Sequence, residues 1–182
     1  MSISLDGFIN DKDGGVGKLY TDFKELHDVA SFKEMIKNTG AAIMGRHTYE
    51  MADPFEWAND EYEFQTPIFV LTHNPPEKYP PGNGKLSFTF VTDGIESAIA
   101  QAKKAAGDKD VQVIGGANTI QQALNAGVCD ELSLDIMSVL LGQGIRLLEN
   151  LDTEKIQLER VKVEETTSQR TSVTFRVMHS KN

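Results

Sequence analysis

Short apolar runs alternate with amphipathic stretches along most of this chain. Ser2 to Ile9 reads as a short first strand. Asn10 to Gly17 follows, with three glycines and two aspartates, and predicts an exposed, mobile loop. Ser31 with Glu34 forms a capping-box pattern, Phe32, Met35 and Ile36 have helical spacing, and Gly40 is placed to stop that helix. Ala41 to Met44 is the next strand, and Thr48 to Met51 starts a second helix. Pro67 to Leu71 is apolar without interruption, as a strand covered on both faces would be. Phe88 to Val91 predicts another strand, and Asp93 with Glu96 repeats the capping pattern ahead of a helical stripe of Ile95, Ala98, Ile99, Ala102 and Ala106. Val111 to Ile114 is a strand, Gly115-Gly116 a turn, and Ile120, Ala123 and Leu124 the inward face of the helix after it.

Strands joined by helical crossovers run parallel, so the middle of the chain predicts an α/β domain whose central, mostly parallel sheet is flanked by helices on both faces. The last third differs. Leu132 to Val139 and Ile156 to Thr166 are strands, and Val173, Phe175 and Val177 alternate with polar residues, which predicts a C-terminal antiparallel hairpin. The apolar phase slips between Leu158 and Val161, placing a bulge near Arg160. Asn74 to Gly84 holds four of the six prolines and reads as a loop without a domain boundary.

Length and charge narrow the picture. The 182 residues fit one domain spanning 1–182, large enough for a full core. The 27 acidic against 18 basic side chains argue against a nucleic-acid partner, so any polyanionic ligand must find a local basic pocket. Cys129 is the single cysteine, which excludes an internal disulfide and fits a reducing, cytoplasmic location. No leader, no membrane span and no cluster of metal ligands is expected.

Two strand-to-helix junctions carry candidate chemistry, because unpaired amides and a positive dipole meet at a helix start. At Met44-Gly45-Arg46-His47-Thr48 the glycine permits close approach of a ligand, Arg46 offers a planar fork of donors, and Thr48 offers a hydroxyl. At Gly115-Gly116 no side chain stands between the strand end and the helix beginning near Ala117. Both lie where an open α/β sheet binds ligands, at the C-terminal strand ends. The plainer alternative is a tight glycine turn and a solvated arginine, and neither junction shows the full Rossmann glycine fingerprint.

Ile43 to Glu50 and Val113 to Ala117 together resemble the two cofactor segments of the dihydrofolate reductase superfamily. Ser4-Leu5-Asp6-Gly7-Phe8-Ile9, Asp130-Glu131-Leu132 and Val139-Leu140-Leu141-Gly142-Gln143-Gly144 resemble its RibD C-terminal branch, the riboflavin-pathway pyrimidine reductases and their relatives. The resemblance implies a dihydrofolate reductase-like fold and NADPH as cofactor. It assigns Gly45, Arg46, His47 and Thr48 to the cofactor phosphates, with Arg46 beside the 2′-phosphate. Leu71, Thr72 and His73 would meet the adenosine. Gly115, Gly116 and the amides of Ala117, Asn118 and Thr119, preceded by Ile114, would take the pyrophosphate, and Ile9 would lie near the nicotinamide. Asn118 departs from the arginine of many dihydrofolate reductases. Ser138 and Gln143 replace a proline and a glycine common in the pyrimidine-reductase branch, and the first strand is about half a strand short, which suggests a start that falls late.

Hydride transfer to a C=N or C=O bond also needs a proton on the substrate side. Asp28, near the family's acidic helix position, is one candidate, with a solvated residue ahead of the Ser31 cap as the alternative. Asp135, in an apolar strand where dihydrofolate reductases present a threonine, is the other, facing either a pocket or the sheet rim. Asp6 reads more simply as a turn residue. The implied activity is 5-amino-6-(5-phosphoribosylamino)uracil reduction or that of a related small heterocycle. Dihydrofolate reduction, or NADPH binding without catalysis, are the alternatives. A homodimer, with a second copy covering the Val173-Phe175-Val177 edge, is also expected.

Overall fold

The computed structural model describes residues 1–179, and these divide into two compact units, Glu34–Thr119 and Met1–Lys33 with Ile120 onward. Their strands are hydrogen-bonded as two four-stranded sheets. Four of the six strand pairings are parallel and the last two are antiparallel, in keeping with the mostly parallel α/β fold and its C-terminal hairpin.

In the unit formed by Glu34–Thr119 the sheet is entirely parallel. Its strands are β2 (Thr39–Gly45), β3 (Pro67–Leu71), β4 (Ser87–Val91) and β5 (Asp110–Gly115), in the order β4-β3-β2-β5. Ile68, Phe69 and Val70 are all buried, which explains the unbroken apolar run of β3. Ala42, Met44, Ile68 and Val70 form one cluster with Tyr49 and Leu86, and the alternate residues Ala41, Ile43 and Phe69 point to the opposite face. Helix α5 (Ile95–Ala106) buries the predicted stripe of Ile95, Ala98, Ile99, Ala102 and Ala106 and packs on β2, β3 and β5. Between β2 and β3 stand two one-turn helices, α3 (Arg46–Tyr49) and α4 (Pro54–Trp57).

Several boundaries differ from the sequence reading for local reasons. Helix α2 (Ala30–Asn38) begins before Ser31, whose hydroxyl bonds Glu164 instead of capping. Gly40 lies inside β2 and does not stop the helix. A Cβ there would sit 2.7 Å from Lys109 Cβ and 2.8 Å from the Ala106 carbonyl oxygen, so the glycine admits the end of α5. Gly94, at φ +104°, caps α5, while Asp93 accepts a hydrogen bond from Ser97 Oγ at 2.9 Å.

Tyr49 is 2% exposed and packs edge-on against Trp57, Phe88 and Phe90, yet its hydroxyl has no hydrogen-bond partner among the described residues. Burial, helped by Glu50 and Asp53, pushes that phenol up to about 12. Tyr49→Phe keeps the ring contacts and removes a buried polar atom whose desolvation nothing offsets. In urea unfolding the variant is expected to match the unaltered chain or exceed it by about 1 kcal/mol. A loss of comparable size would mean that the hydroxyl has a partner.

The other unit holds β1 (Ser2–Ser4), β6 (Glu131–Met137), β7 (Ile156–Thr167) and β8 (Arg170–His179), in the order β1-β6-β8-β7. Strand β1 ends at Ser4, short of the expected Ile9, because Asp6-Gly7 turns the chain, with Gly7 at φ +86°. The predicted bulge is present as a register shift between Arg160 and Lys162, with a second between Glu165 and Thr167. The edges of this sheet are β1 and β7, and β8, the strand of Val173, Phe175 and Val177, lies inside it. Helix α6 (Ala117–Asn125) buries Ile120, Ala123 and Leu124 as expected.

Asp6 ties the turn after β1 to the loop after β6. Its carboxylate accepts from the Leu141 amide at 3.1 Å and the Gly142 amide at 2.7 Å. The Ser4 hydroxyl foremost, then these amides, hold it down at about 2, below the ordinary 3.8. Stability from this group is therefore complete above the unfolded value and lost as pH falls toward 2. Asp6→Ala is expected to lower the thermal midpoint at pH 7, with the gap to the unaltered chain closing as pH approaches 2. A gap that stays constant with pH would contradict it.

Candidate functional site

The parallel order of β4-β3-β2-β5 places four strand ends on one rim. The register sets Leu71 beside Gly45 and beside Val91, and Gly115 beside Met44. Three segments far apart in sequence thereby meet: Gly45 to Thr48, Leu71 to His73, and Ile114 to Thr119.

The two glycine turns interlock. A Cβ on Gly45 would stand 2.5 Å from Thr119 Oγ1, and one on Gly116 would stand 3.4 Å from Thr48 Oγ1. Each junction's threonine thus faces the other junction's glycine, which lets the two turns pack closely. Gly115-Gly116 is a cis peptide. Thr119 is buried and Thr48 half-buried, Ala117 is buried, and Asn118 is exposed. Ile114 packs against the aromatic and aliphatic cluster beneath the rim.

Arg46 stands at the outer side of this rim. Its Nε donates to Glu50 Oε1 at 2.9 Å and its Nη1 to the Asn74 carbonyl at 3.2 Å, so it spans from α3 to the loop after β3. Glu50 raises the guanidinium further above its ordinary value, leaving it a permanent cation. The exposed His47 and His73 lie on the same strand ends. Thr72 is buried and accepts from the Asn74 amide at 3.2 Å, a local bond that fixes the turn in which His73 stands.

The remaining sequence candidates belong to the other unit. Ile9 is half-buried and donates its amide to the Ile145 carbonyl at 2.9 Å. Asp28 is solvated, its side chain 89% exposed and paired with Lys33 at 3.3 Å. Asp135 is held: it accepts from Ser172 Oγ at 2.5 Å and lies 3.6 Å from Arg170 Nη1, with its side chain 29% exposed.

Behind Asp135 is a network that sequence reading missed. Arg170, 1% exposed, donates from Nε and Nη2 to both oxygens of Asp22 at 2.9 and 2.8 Å, from Nη2 to the Leu19 carbonyl, and from Nη1 to Ser2 Oγ. Thr167 Oγ1 donates to Asp22 at 2.6 Å. The hydrogen bonds from Arg170 hold the Asp22 carboxyl below its usual range. Burial works against the charge on Arg170, and the carboxylates more than offset it. Arg170 and Asp22 are 148 positions apart, and only the polar face of β8, Arg170-Ser172-Thr174-Arg176, hinted at it. The pairing of Glu50 with Arg46 was also not anticipated, although their four-residue spacing is a visible pairing signal.

Glycine turns and a guanidinium at the C-terminal rim of a parallel sheet stand where open α/β folds hold their ligands. The chain belongs to the RibD C-terminal domain family, whose sequence model matches residues 1–172. It is similar to a putative riboflavin biosynthesis protein from Shewanella sp. PV-4, with 25% identity over 98% of this chain and 97% of that one, at a TM-score of 0.74. A diaminohydroxyphosphoribosylaminopyrimidine deaminase/5-amino-6-(5-phosphoribosylamino)uracil reductase from Thermotoga maritima matches at a TM-score of 0.68 and 18% identity, over 96% of this chain and 54% of its own. This chain therefore spans about half of that bifunctional protein. Dihydrofolate reductase from Enterococcus faecalis, solved with NADP(H), shares the fold at a TM-score of 0.57 and 21% identity, over 97% of this chain and 92% of its own. The fold is thus dihydrofolate reductase-like. Among the described residues no helix is long and apolar enough to cross a membrane.

Proposed function

We propose that this chain is an NADPH-dependent reductase of a small heterocycle, with 5-amino-6-(5-phosphoribosylamino)uracil as its substrate. The observation that carries the reading is the interlocked pair of glycine turns, Gly45 against Thr119 and Gly116 against Thr48, with Arg46 beside them. A methyl group at Gly45 would collide with the Thr119 hydroxyl and one at Gly116 would press on that of Thr48, so both turns stay free of side chains of their own, as a pyrophosphate laid on backbone requires. Arg46 would hold the 2′-phosphate, Thr48 and the amides after Gly116 the pyrophosphate, and Leu71 to His73 the adenosine.

When bound, the dihydronicotinamide supplies a hydride. The chain's task is to orient the reactants and deliver a proton. Asp135 suits that second role better than Asp28: Ser172 and Arg170 fix its carboxyl while part of it stays open to solvent, whereas Asp28 is a surface side chain. The name of the Thermotoga relative supports the pyrimidine substrate, and that of the Shewanella relative supports a place in riboflavin biosynthesis.

The test is NADPH oxidation, followed by its absorbance, with the phosphoribosylaminouracil and with dihydrofolate in parallel. Turnover of the first alone is the expected result. Turnover of dihydrofolate alone would reassign the substrate, and turnover of neither by a chain that binds NADPH would contradict the proposed activity.

A further inference from the structure

We infer that Glu50 is a specificity-determining residue that limits how strongly this site prefers the phosphorylated dinucleotide over the unphosphorylated one. The inference rests on the proposed placement of the cofactor's adenosine ribose beside Arg46.

The geometry is that of a cation and an anion sharing one position. Arg46 opens α3, and Glu50 follows it one turn later as the C-cap, so a four-residue spacing brings the side chains together at 2.9 Å. Both are about two-fifths exposed, at 43% and 41%, so a ligand can reach either one. The Asn74 carbonyl holds Arg46 from the other side through Nη1. Two of the five guanidinium N–H donors are engaged in this way, which leaves a fork for a phosphate.

In dinucleotide sites an acidic side chain accepts from the ribose 2′-hydroxyl of NADH, and an arginine accommodates the 2′-phosphate of NADPH. Here one residue of each kind is present, and they are bonded to each other. A 2′-phosphate, carrying nearly two negative charges, gains from Arg46 and is repelled by Glu50. It must also compete with the carboxylate for the same guanidinium. A free 2′-hydroxyl meets no repulsion and finds an acceptor in Glu50. The pair therefore brings the two affinities closer together than Arg46 alone would.

An isolated surface ion pair on a one-turn helix is the competing account. Exposed pairs of this spacing contribute little to stability, and such a pair would have no bearing on which dinucleotide binds.

Fluorescence titrations of the full chain with NADPH and with NADH decide between them, on the unaltered protein, Glu50→Gln and Glu50→Asp, with thermal midpoints recorded alongside. Removing the charge is expected to raise the NADPH-to-NADH affinity ratio by roughly 5- to 20-fold, through tighter NADPH and weaker NADH. Glu50→Asp, which keeps the charge, is expected to hold the ratio within about 3-fold of the unaltered chain. An unchanged ratio in Glu50→Gln, with NADPH still bound, would overturn this inference and leave the proposed function standing. Binding of neither dinucleotide by the unaltered chain would overturn both.

Discussion

Arg170→Ala is expected to cost the fold about 3–5 kcal/mol. The guanidinium is fully enclosed, and the Asp22 side chain that pairs with it is 2% exposed, so truncation strands a carboxylate where water cannot reach it. The hydrogen bonds lost to Leu19 and Ser2 add to this. Asp22→Ala is expected to be comparably damaging, since it leaves the cation with Asp135 at 3.6 Å as its remaining counter-charge. The pair Asp22→Leu with Arg170→Met removes both charges and is expected to recover much of the loss, because a buried ion pair replaced by apolar volume is often neutral. Urea unfolding of the two single variants and the double variant measures this directly. Additive losses in the double variant would show that the two side chains act independently.

Arg46→Ala is expected to weaken NADPH binding by about 10- to 100-fold, the range of a charged hydrogen-bonding partner, while NADH binding changes by less than about 3-fold. The side chain lies at the rim, 43% exposed, and its bonds go to Glu50 and the Asn74 carbonyl, so the fold does not depend on it. The thermal midpoint without ligand should therefore move little. Equal losses for the two dinucleotides in a titration would place Arg46 away from the 2′-phosphate. A large fall in midpoint would show that the arginine is structural.

The two expectations differ in how far the sequence revealed them. Gly45, Arg46, Gly115 and Gly116 were visible because backbone sterics and strand-end position leave a local trace: a glycine where the chain must be bare, at the close of an apolar run. The strands themselves were legible for the same reason. Ile68-Phe69-Val70 is continuous because both faces are covered, and the slip between Leu158 and Val161 marks a real bulge. Gly40 misled because a glycine that stops a helix and one that admits a neighbouring helix look alike in one dimension. Ser31 misled because its hydroxyl is spent on Glu164, a partner 133 positions away in the sequence.

Asp22 and Arg170 left no local trace, since their pairing depends on which strands become neighbours. Asp28 and Asp135 were both candidate acids in the sequence; Asp28 faces solvent, whereas Asp135 is fixed by Ser172 across the β6–β8 ladder. The position of β7 at a sheet edge also escaped the sequence. Strand β7 exposes Leu158, Val161 and Val163, so its pattern carries no sign of its position, and the cleaner alternation of β8 belongs to an interior strand.

In the proposed function a dinucleotide lies on the glycine rim at the strand ends of β2, β3 and β5. Backbone amide chemical shifts recorded while NADPH is titrated into the full chain test it most directly. Saturable shifts concentrated at Gly45 to Thr48, Leu71 to His73 and Ile114 to Thr119 are expected. Saturable shifts that leave those three segments unmoved, or no shifts at all, would contradict it.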